Sequence, residues 1–196
     1  MRFTATQDFT SLADMLRLFG DADEIVFNSQ FKLGEAEIAE ACHEGRWLAN
    51  RLRLRHGAKS IEEISAGYGC KIVREAWQVA EGKVVFLGEC LLRQKTGSAG
   101  KEQTLIRVNT GATASLAELM SQWAGESEIQ WFSEAKISEV VVAHELFHLL
   151  KQEPASTPIE LAAHAFARAM TGLPFSPILY NELLVRLATG KVTFKR

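Results

Sequence analysis

The residues best suited to chemistry in this chain are His144, Glu145 and His148, which form a His-Glu-x-x-His pattern. Residues four apart on an α-helix lie on the same face, so both imidazoles could bind one zinc ion. Glu145, beside the metal, would then polarise a water molecule bound to that ion. The pattern therefore predicts a catalytic metal centre of the metallopeptidase type.

The sequence around this pattern favours a helix. No Pro or Gly occurs from Glu134 to Glu153, and Pro154 follows directly. Ser133 is a suitable N-cap, and the acidic residue after it suits the first turn, where the helix dipole favours negative charge. We therefore predict a buried helix over residues 134–152.

A catalytic zinc site needs a third protein ligand and an open position for water. An Ala-rich segment in which Pro158 marks the start predicts a second helix, over 157–171. Glu160 and His164 lie four apart on this helix and share a face. We prefer Glu160 as the third ligand, with His164 orienting a liganding histidine from behind, and the reverse assignment stays open.

Together, the two helix motifs resemble the ImmA/IrrE family of small bacterial metallopeptidases. That family joins a His-Glu-x-x-His helix to a helix with Glu-x-x-Ala-Asn-x-Phe-Ala and then to a turn containing Pro. Here the second motif runs from Glu160 to Ala167, and Leu173-Pro174 follows it. Weaker similarity, which includes a short helix and Gly turn within 60–73, extends the resemblance over roughly residues 37–175.

The chain departs from the family pattern at two positions. His164 stands where Asn is usual, and Phe147 stands where Gly is common. The gap between His148 and Glu160 is also short for the family, so we expect a tight connecting loop. No helix-turn-helix segment for DNA binding is evident in the sequence.

The resemblance implies a zincin-like, zinc-dependent endopeptidase that cuts a specific protein, such as a transcriptional repressor. Glu145 would act as the general base and pass its proton to the leaving amine. Tyr180 and His56 are candidates for a further donor to the developing oxyanion. Mn²⁺ or Fe²⁺ could replace Zn²⁺ in the same ligand set. The alternatives are a catalytically inactive protein-binding module and a structural zinc site in which His164 is a fourth ligand.

Composition and charge argue against several other classes of protein. The chain has 196 residues, of which 47% are hydrophobic and 23% charged, as in an ordinary soluble globular domain. A net charge of -2 gives no footprint for direct binding to nucleic acid or to a membrane surface. Cys42, Cys70 and Cys90 are odd in number and widely spaced, and no signal peptide is evident, so we expect a cytoplasmic protein.

The rest of the chain supplies the elements that must hold the site. Further helices are predicted at 12–19, 35–56, 113–124 and 176–189. Strands are predicted in two or three pieces within 71–92 and at Thr104–Asn109, with a polar loop at 96–102. Strands in the middle of the chain with helices after them indicate an α+β fold that contains a small antiparallel sheet.

We expect one domain over 1–196, with a variable extension at 1–34, a family-like core at 35–175 and a C-terminal helix and tail at 176–196. Thr104–Asn109 is our candidate for an edge strand on which an extended peptide would bind, with an interior position as the alternative. Trp47 is predicted to be a core residue. The basic runs at 46–55 and 191–196 are interpreted as solvated surface.

Overall fold

A computed structural model describes residues 12–21, 33–77, 87–96, 101–154 and 156–188. Within these residues the chain forms seven α-helices and one three-stranded sheet, which confirms the predicted α+β class. Helices α1 to α3 are Leu12–Asp21, Glu35–His56 and Ile61–Gly67, and strands β1 to β3 are Cys70–Glu75, Gly88–Thr96 and Lys101–Asn109. Helices α4 to α7 are Thr110–Ser121, Glu134–Lys151, Thr157–Thr171 and Ile178–Ala188, and a short 3₁₀ helix, Ile129–Phe132, precedes α5.

Several predicted segments lie partly or wholly outside the described residues. They include residues 1–11 and 22–32 of the N-terminal extension, residues 78–86 of the strand region, residues 97–100 of the polar loop and residues 189–196 of the C-terminal helix and tail. The described parts of the strand region are β1 and the beginning of β2. The structure therefore tests the strand prediction for 71–92 only in these two pieces.

The sheet is mixed, so the prediction of an antiparallel sheet is wrong for one of its two strand pairs. The strand order is β1-β3-β2, with β3 antiparallel to β2 and parallel to β1. Thr104–Asn109 therefore lies in the central strand, and its prediction as an edge strand is wrong. Ile106 and Val108 of β3 are fully buried. Burial of one face is compatible with an edge or a central strand, and pairing with β1 and β2 on its two sides decides the position of β3.

Local signals fix both ends of α5. The Ser133 hydroxyl accepts a hydrogen bond from the Lys136 N–H at 3.2 Å, as the N-cap prediction requires. At the other end Gln152 adopts a left-handed conformation, with φ 53°, and its N–H donates to the His148 carbonyl at 2.9 Å. Five residues, 152–156, separate α5 from α6, so the expected tight loop is confirmed.

Helices α2 and α6 pack very closely, and a glycine makes this approach possible. A Cβ at Gly45 would overlap the Ala162 carbonyl oxygen and would lie 2.9 Å from the Phe166 nitrogen. The prediction of Trp47 as a core residue is wrong, because its side chain is 48% exposed. Two residues after Gly45 on the helix, Trp47 points about 200° away from the packed face.

The buried hydrophobic side chains form one core that draws on all seven helices and on the sheet. Cys42, Cys70 and Cys90 form no disulfide with one another. In the part of the chain that the structure describes, no helix combines the length and the apolar content needed to cross a membrane.

Candidate metal centre

Helices α5 and α6 bring three predicted ligands together. The Nε2 atoms of His144 and His148 lie 3.1 Å apart. The carboxylate of Glu160 reaches both, with Oε2 at 3.2 Å from His144 Nε2 and Oε1 at 3.4 Å from His148 Nε2. Among the described residues, these three form a group that could hold a metal ion.

The spacing of these donor atoms suits zinc. Nitrogen and oxygen ligands lie about 2.0–2.1 Å from a tetrahedral zinc ion, which places neighbouring ligand atoms about 3.3 Å apart. The three distances between donor atoms in this group are 3.1, 3.2 and 3.4 Å. Two imidazoles and one carboxylate are also a ligand set found in catalytic zinc sites. The residues present therefore fit the ion in both size and chemistry.

The same three side chains stabilise one another electrostatically. Partial burial alone would raise the pKa of Glu160, but hydrogen bonds from His144 and His148 outweigh it and hold that pKa far below its ordinary value. Burial alone would lower the pKa of His148, but its contact with Glu160 raises it overall. Glu160 is thus a carboxylate at neutral pH and is ready to bind a cation.

Glu145 lies beside this group and faces the beginning of β2. Its side chain is 8% exposed, and burial raises the pKa of its carboxyl group, although His144 and His148 partly offset that effect. A Cβ at Gly88 of β2 would overlap the Val141 side chain and would lie 3.5 Å from the Glu145 Cγ atom. The glycine therefore lets β2 run close to α5 at the glutamate.

Cys90, two residues further along β2, also lies close enough to Glu145 for the charge of the glutamate to affect it. Burial raises the pKa of its thiol to about 12, and the negative charge of Glu145 adds to this shift. The strand beside the glutamate is therefore β2. In the described sheet β2 pairs only with β3 and is an edge strand.

His164 lies behind the ligand group, against His144. The centroids of the two rings are 4.6 Å apart, with an angle of 55° between the ring planes. Burial, followed by the proximity of His144, lowers the pKa of His164 well below its ordinary value, so the imidazole is neutral. The group of three donors includes Glu160 and leaves His164 out.

Phe147, one of the departures from the family pattern, is a buried packing residue. Its ring centroid lies 5.6 Å from that of Phe166 on α6 and 6.1 Å from that of His148, to which the ring is nearly perpendicular. It therefore holds the two ligand helices together and also contacts one of the ligands.

The structure does not bring Tyr180 or His56 into this group. The Tyr180 hydroxyl donates to the Trp131 carbonyl at 2.6 Å, and its ring packs edge-on against Phe132 and Phe175. The described ring contact of His56 is with Tyr68, at 6.0 Å between centroids. Both residues contribute to packing through these contacts.

Gly45 and Gly88 matter to the site, although the sequence analysis did not single them out. Each removes a side chain where another element must approach a ligand helix. The signal for Gly45 is its place in the middle of a long helix, where glycine costs about 1 kcal/mol relative to alanine. No comparable signal marks Gly88, because a glycine at the start of a strand is common.

Comparison with protein-family models, with curated proteins and with solved structures finds no match to this chain. Membership of the ImmA/IrrE family therefore stays a prediction from the motifs.

Proposed function

We propose that this protein is a zinc-dependent endopeptidase whose metal ligands are His144, His148 and Glu160. The observation that carries the proposal is the triangle of donor atoms, with sides of 3.1, 3.2 and 3.4 Å, next to a buried glutamate. Three protein ligands are the number found in catalytic zinc sites, which keep a fourth position open.

The proposed chemistry divides between the metal and Glu145. A zinc ion in this group would polarise the scissile carbonyl and lower the pKa of water toward neutrality. Glu145 would accept a proton from the attacking water and deliver it to the leaving amine. The burial of Glu145 and the close approach of Gly88 to its side chain would limit the movement of the glutamate during both transfers.

Strand β2 is the proposed support for an extended substrate. It packs against α5 and begins at Gly88, next to Glu145. A peptide could add to the outer edge of β2 through main-chain hydrogen bonds and pass the glutamate in an extended conformation. This role replaces the one that we predicted for Thr104–Asn109, which lies in the centre of the sheet.

For the substrate we propose an intracellular protein such as a transcriptional repressor, by resemblance to the ImmA/IrrE family. The net charge of -2 does not favour direct contact with nucleic acid. We therefore propose that the protein acts on a repressor and not on DNA itself.

A structural zinc site is the second candidate, and the position of His164 favours it. Its ring lies 4.6 Å from that of His144, so a small movement could add a fourth nitrogen to the ligands. Four protein ligands would close the coordination sphere and leave no place for water. Hydrolysis of a peptide bond would exclude this candidate and also the inactive binding module.

The metal content of the purified protein tests the first part of the proposal. After addition of zinc and desalting we expect about one zinc ion per chain in the wild type, and loss of that ion in His148→Ala. The absence of bound metal from both proteins would contradict the proposal.

Hydrolysis tests the second part, with a mixture of unstructured peptides as the probe and mass spectrometry as the readout. Glu145→Gln should keep the zinc and lose at least about a hundredfold in rate, as expected for removal of a general base. The matched control is Glu139→Gln on the same helix, where the side chain is partly exposed and pairs with Lys136. Equal rates for Glu145→Gln and the wild type would contradict the assignment.

A further inference from the structure

The outward face of α2 exposes two large apolar side chains. Trp47 is 48% exposed and Leu54 is 88% exposed. They are seven residues apart, so they lie on one line along the helix, and Glu40 lies on the same line another seven residues earlier. This outward stripe points away from the face that Gly45 packs against α6.

Charges along the same helix are divided between its two halves. The exposed acidic residues Glu35, Glu37 and Glu40 lie in the N-terminal half. The exposed basic residues Arg51, Arg53 and Arg55 lie in the C-terminal half. The helix dipole accounts for such charges in the first and last turns only. It does not account for Glu40 and Arg51, which lie further inside the helix.

Arg51 is placed to belong to the apolar stripe as well as to the basic half. Its guanidinium carbon lies 4.8 Å from the centroid of the Trp47 ring. This contact keeps a positive charge beside the exposed indole. The outward stripe thus combines an acidic end, an aromatic centre and a basic end with an exposed leucine.

We propose that this stripe is a self-association surface, on which two copies of the chain pair through antiparallel α2 helices. A twofold axis between residues 45 and 46 would place Glu40 opposite Arg51 of the second copy and Leu54 opposite its Glu37, in the turn that also holds Ala36. The acidic half of each helix then meets the basic half of the other. A twofold interface uses the same patch on both copies, so a surface that is complementary to itself is sufficient.

Charge complementarity selects a second copy over other partners. An anionic membrane or a nucleic acid would be attracted to the basic end of the stripe but repelled by Glu37 and Glu40 at its acidic end. An acidic peptide would meet the same repulsion. Only a partner with the opposite order of charges matches the whole stripe, and an antiparallel copy has that order.

Sedimentation velocity from micromolar to millimolar protein, with Leu54→Asp and Val185→Asp, tests the apolar part of the interface. The wild type should show a reversible monomer–dimer equilibrium that weakens at high salt. Leu54→Asp should weaken dimerisation at least roughly tenfold, because it puts a charge in both symmetric contacts. Leu54 is 88% exposed, so this change leaves the fold intact, as circular dichroism would verify. Val185→Asp on α7, where the side chain is 49% exposed, is the matched control and should dimerise as the wild type does.

A charge swap tests the antiparallel arrangement itself. Glu40→Arg and Arg51→Glu should each weaken dimerisation roughly tenfold, since each sets like charges against one another at two symmetric positions. An equimolar mixture of the two variants should form a heterodimer as tightly as the wild type dimerises, because both cross-pairs become attractive. Loss of the contact between Arg51 and Trp47 within one chain cannot produce such a recovery.

Three results would overturn the proposal: a wild type that stays monomeric at every concentration, a dimer that Leu54→Asp leaves unchanged, or single charge variants that do not recover on mixing. Cosedimentation of monomeric wild type with phosphatidylserine vesicles would assign the stripe to a membrane instead. None of these measurements depends on bound zinc or on hydrolysis, so their outcome is independent of the proposed enzymatic function.

Discussion

Gly45 of α2 lies against the main chain of Ala162 on α6, with no room between them for even one methyl group. Ala162 is two residues after Glu160, the proposed carboxylate ligand. The position of this proposed ligand therefore depends on a contact made by α2, which carries none of the proposed ligands.

The first prediction is that Gly45→Ala weakens both stability and zinc binding. The added methyl group would overlap the Ala162 carbonyl, so α6 must move, at about 1–3 kcal/mol in the free energy of unfolding. Urea unfolding and zinc competition with a chelator measure the two effects. Gly67→Ala is the control, because a Cβ at that position meets nothing within 4 Å, and its stability should change by less than about 1 kcal/mol. A Gly45→Ala protein as stable as the wild type would show that the helices yield more easily than we expect.

The second prediction concerns His164, which we expect to orient His144 without binding the metal. His164→Asn should still bind one zinc ion per chain, with an affinity roughly 10–100-fold lower, as is typical when a group behind a ligand is lost. Metal analysis and chelator competition provide the stoichiometry and the affinity. If His164→Asn instead lost its zinc as fully as His148→Ala, His164 would have to be counted as a ligand.

The third prediction is a pH-dependent stability of the metal-free protein. The raised pKa of His148 contributes stability below the ordinary value of 6.5, and this is lost as pH rises through the raised value. The lowered pKa of Glu160 contributes stability above the ordinary value of 4.5, and this is lost as pH falls further. The ion pair should therefore stabilise the fold most between these two values. Urea unfolding of metal-free wild type and His148→Gln should differ more at pH 5.5 than at pH 8. An equal difference at both values would contradict this.

The fourth prediction is that zinc affinity falls as pH is lowered through the raised pKa of His148. Zinc binds the neutral imidazole, so each protonated histidine must lose its proton first. Glu160 raises the pKa of His148, so protons should begin to compete with zinc for this imidazole at a higher pH than for an ordinary histidine. Chelator competition across the neutral and mildly acidic range measures this onset. In Glu160→Gln, zinc binding should be weaker at every pH, and the remaining proton competition should shift to lower pH.

The helices and the ligand group could be predicted from the sequence because their signals are local. Glu35–His56 and Thr157–Thr171 have the predicted bounds, and α5 ends within one residue of its predicted end. A Ser N-cap, a Pro in the first turn and a four-residue spacing of ligands all act within one or two turns of helix.

The order of the strands could not be predicted, because it depends on contacts between distant parts of the chain. The apolar residues of β3 suit an edge or a central strand equally well until its neighbours are known. Strand β1 pairs with β3 in parallel, although β2 lies between them in the sequence and forms a hairpin with β3. The prediction that Trp47 lies in the core, which rested on its hydrophobicity, failed for the same reason. The close packing of α2 on α6 requires small residues on the inner face of α2, so the indole lies on the outer face.

The hydrogen bond of Tyr180 could not be predicted from the sequence for a related reason. Its hydroxyl donates to a main-chain carbonyl 49 positions away along the chain. Every residue carries such a carbonyl, so no side-chain pattern could indicate which one the tyrosine would find.

The five-residue connection between α5 and α6 has a consequence for the order of folding. All the proposed ligands fall within residues 144–160, so a bound metal would close only a short loop of the unfolded chain. Short loops lose little entropy on closure and form quickly. The helical hairpin could thus capture its ion before the parallel pairing of β1 with β3, which must await more distant contacts.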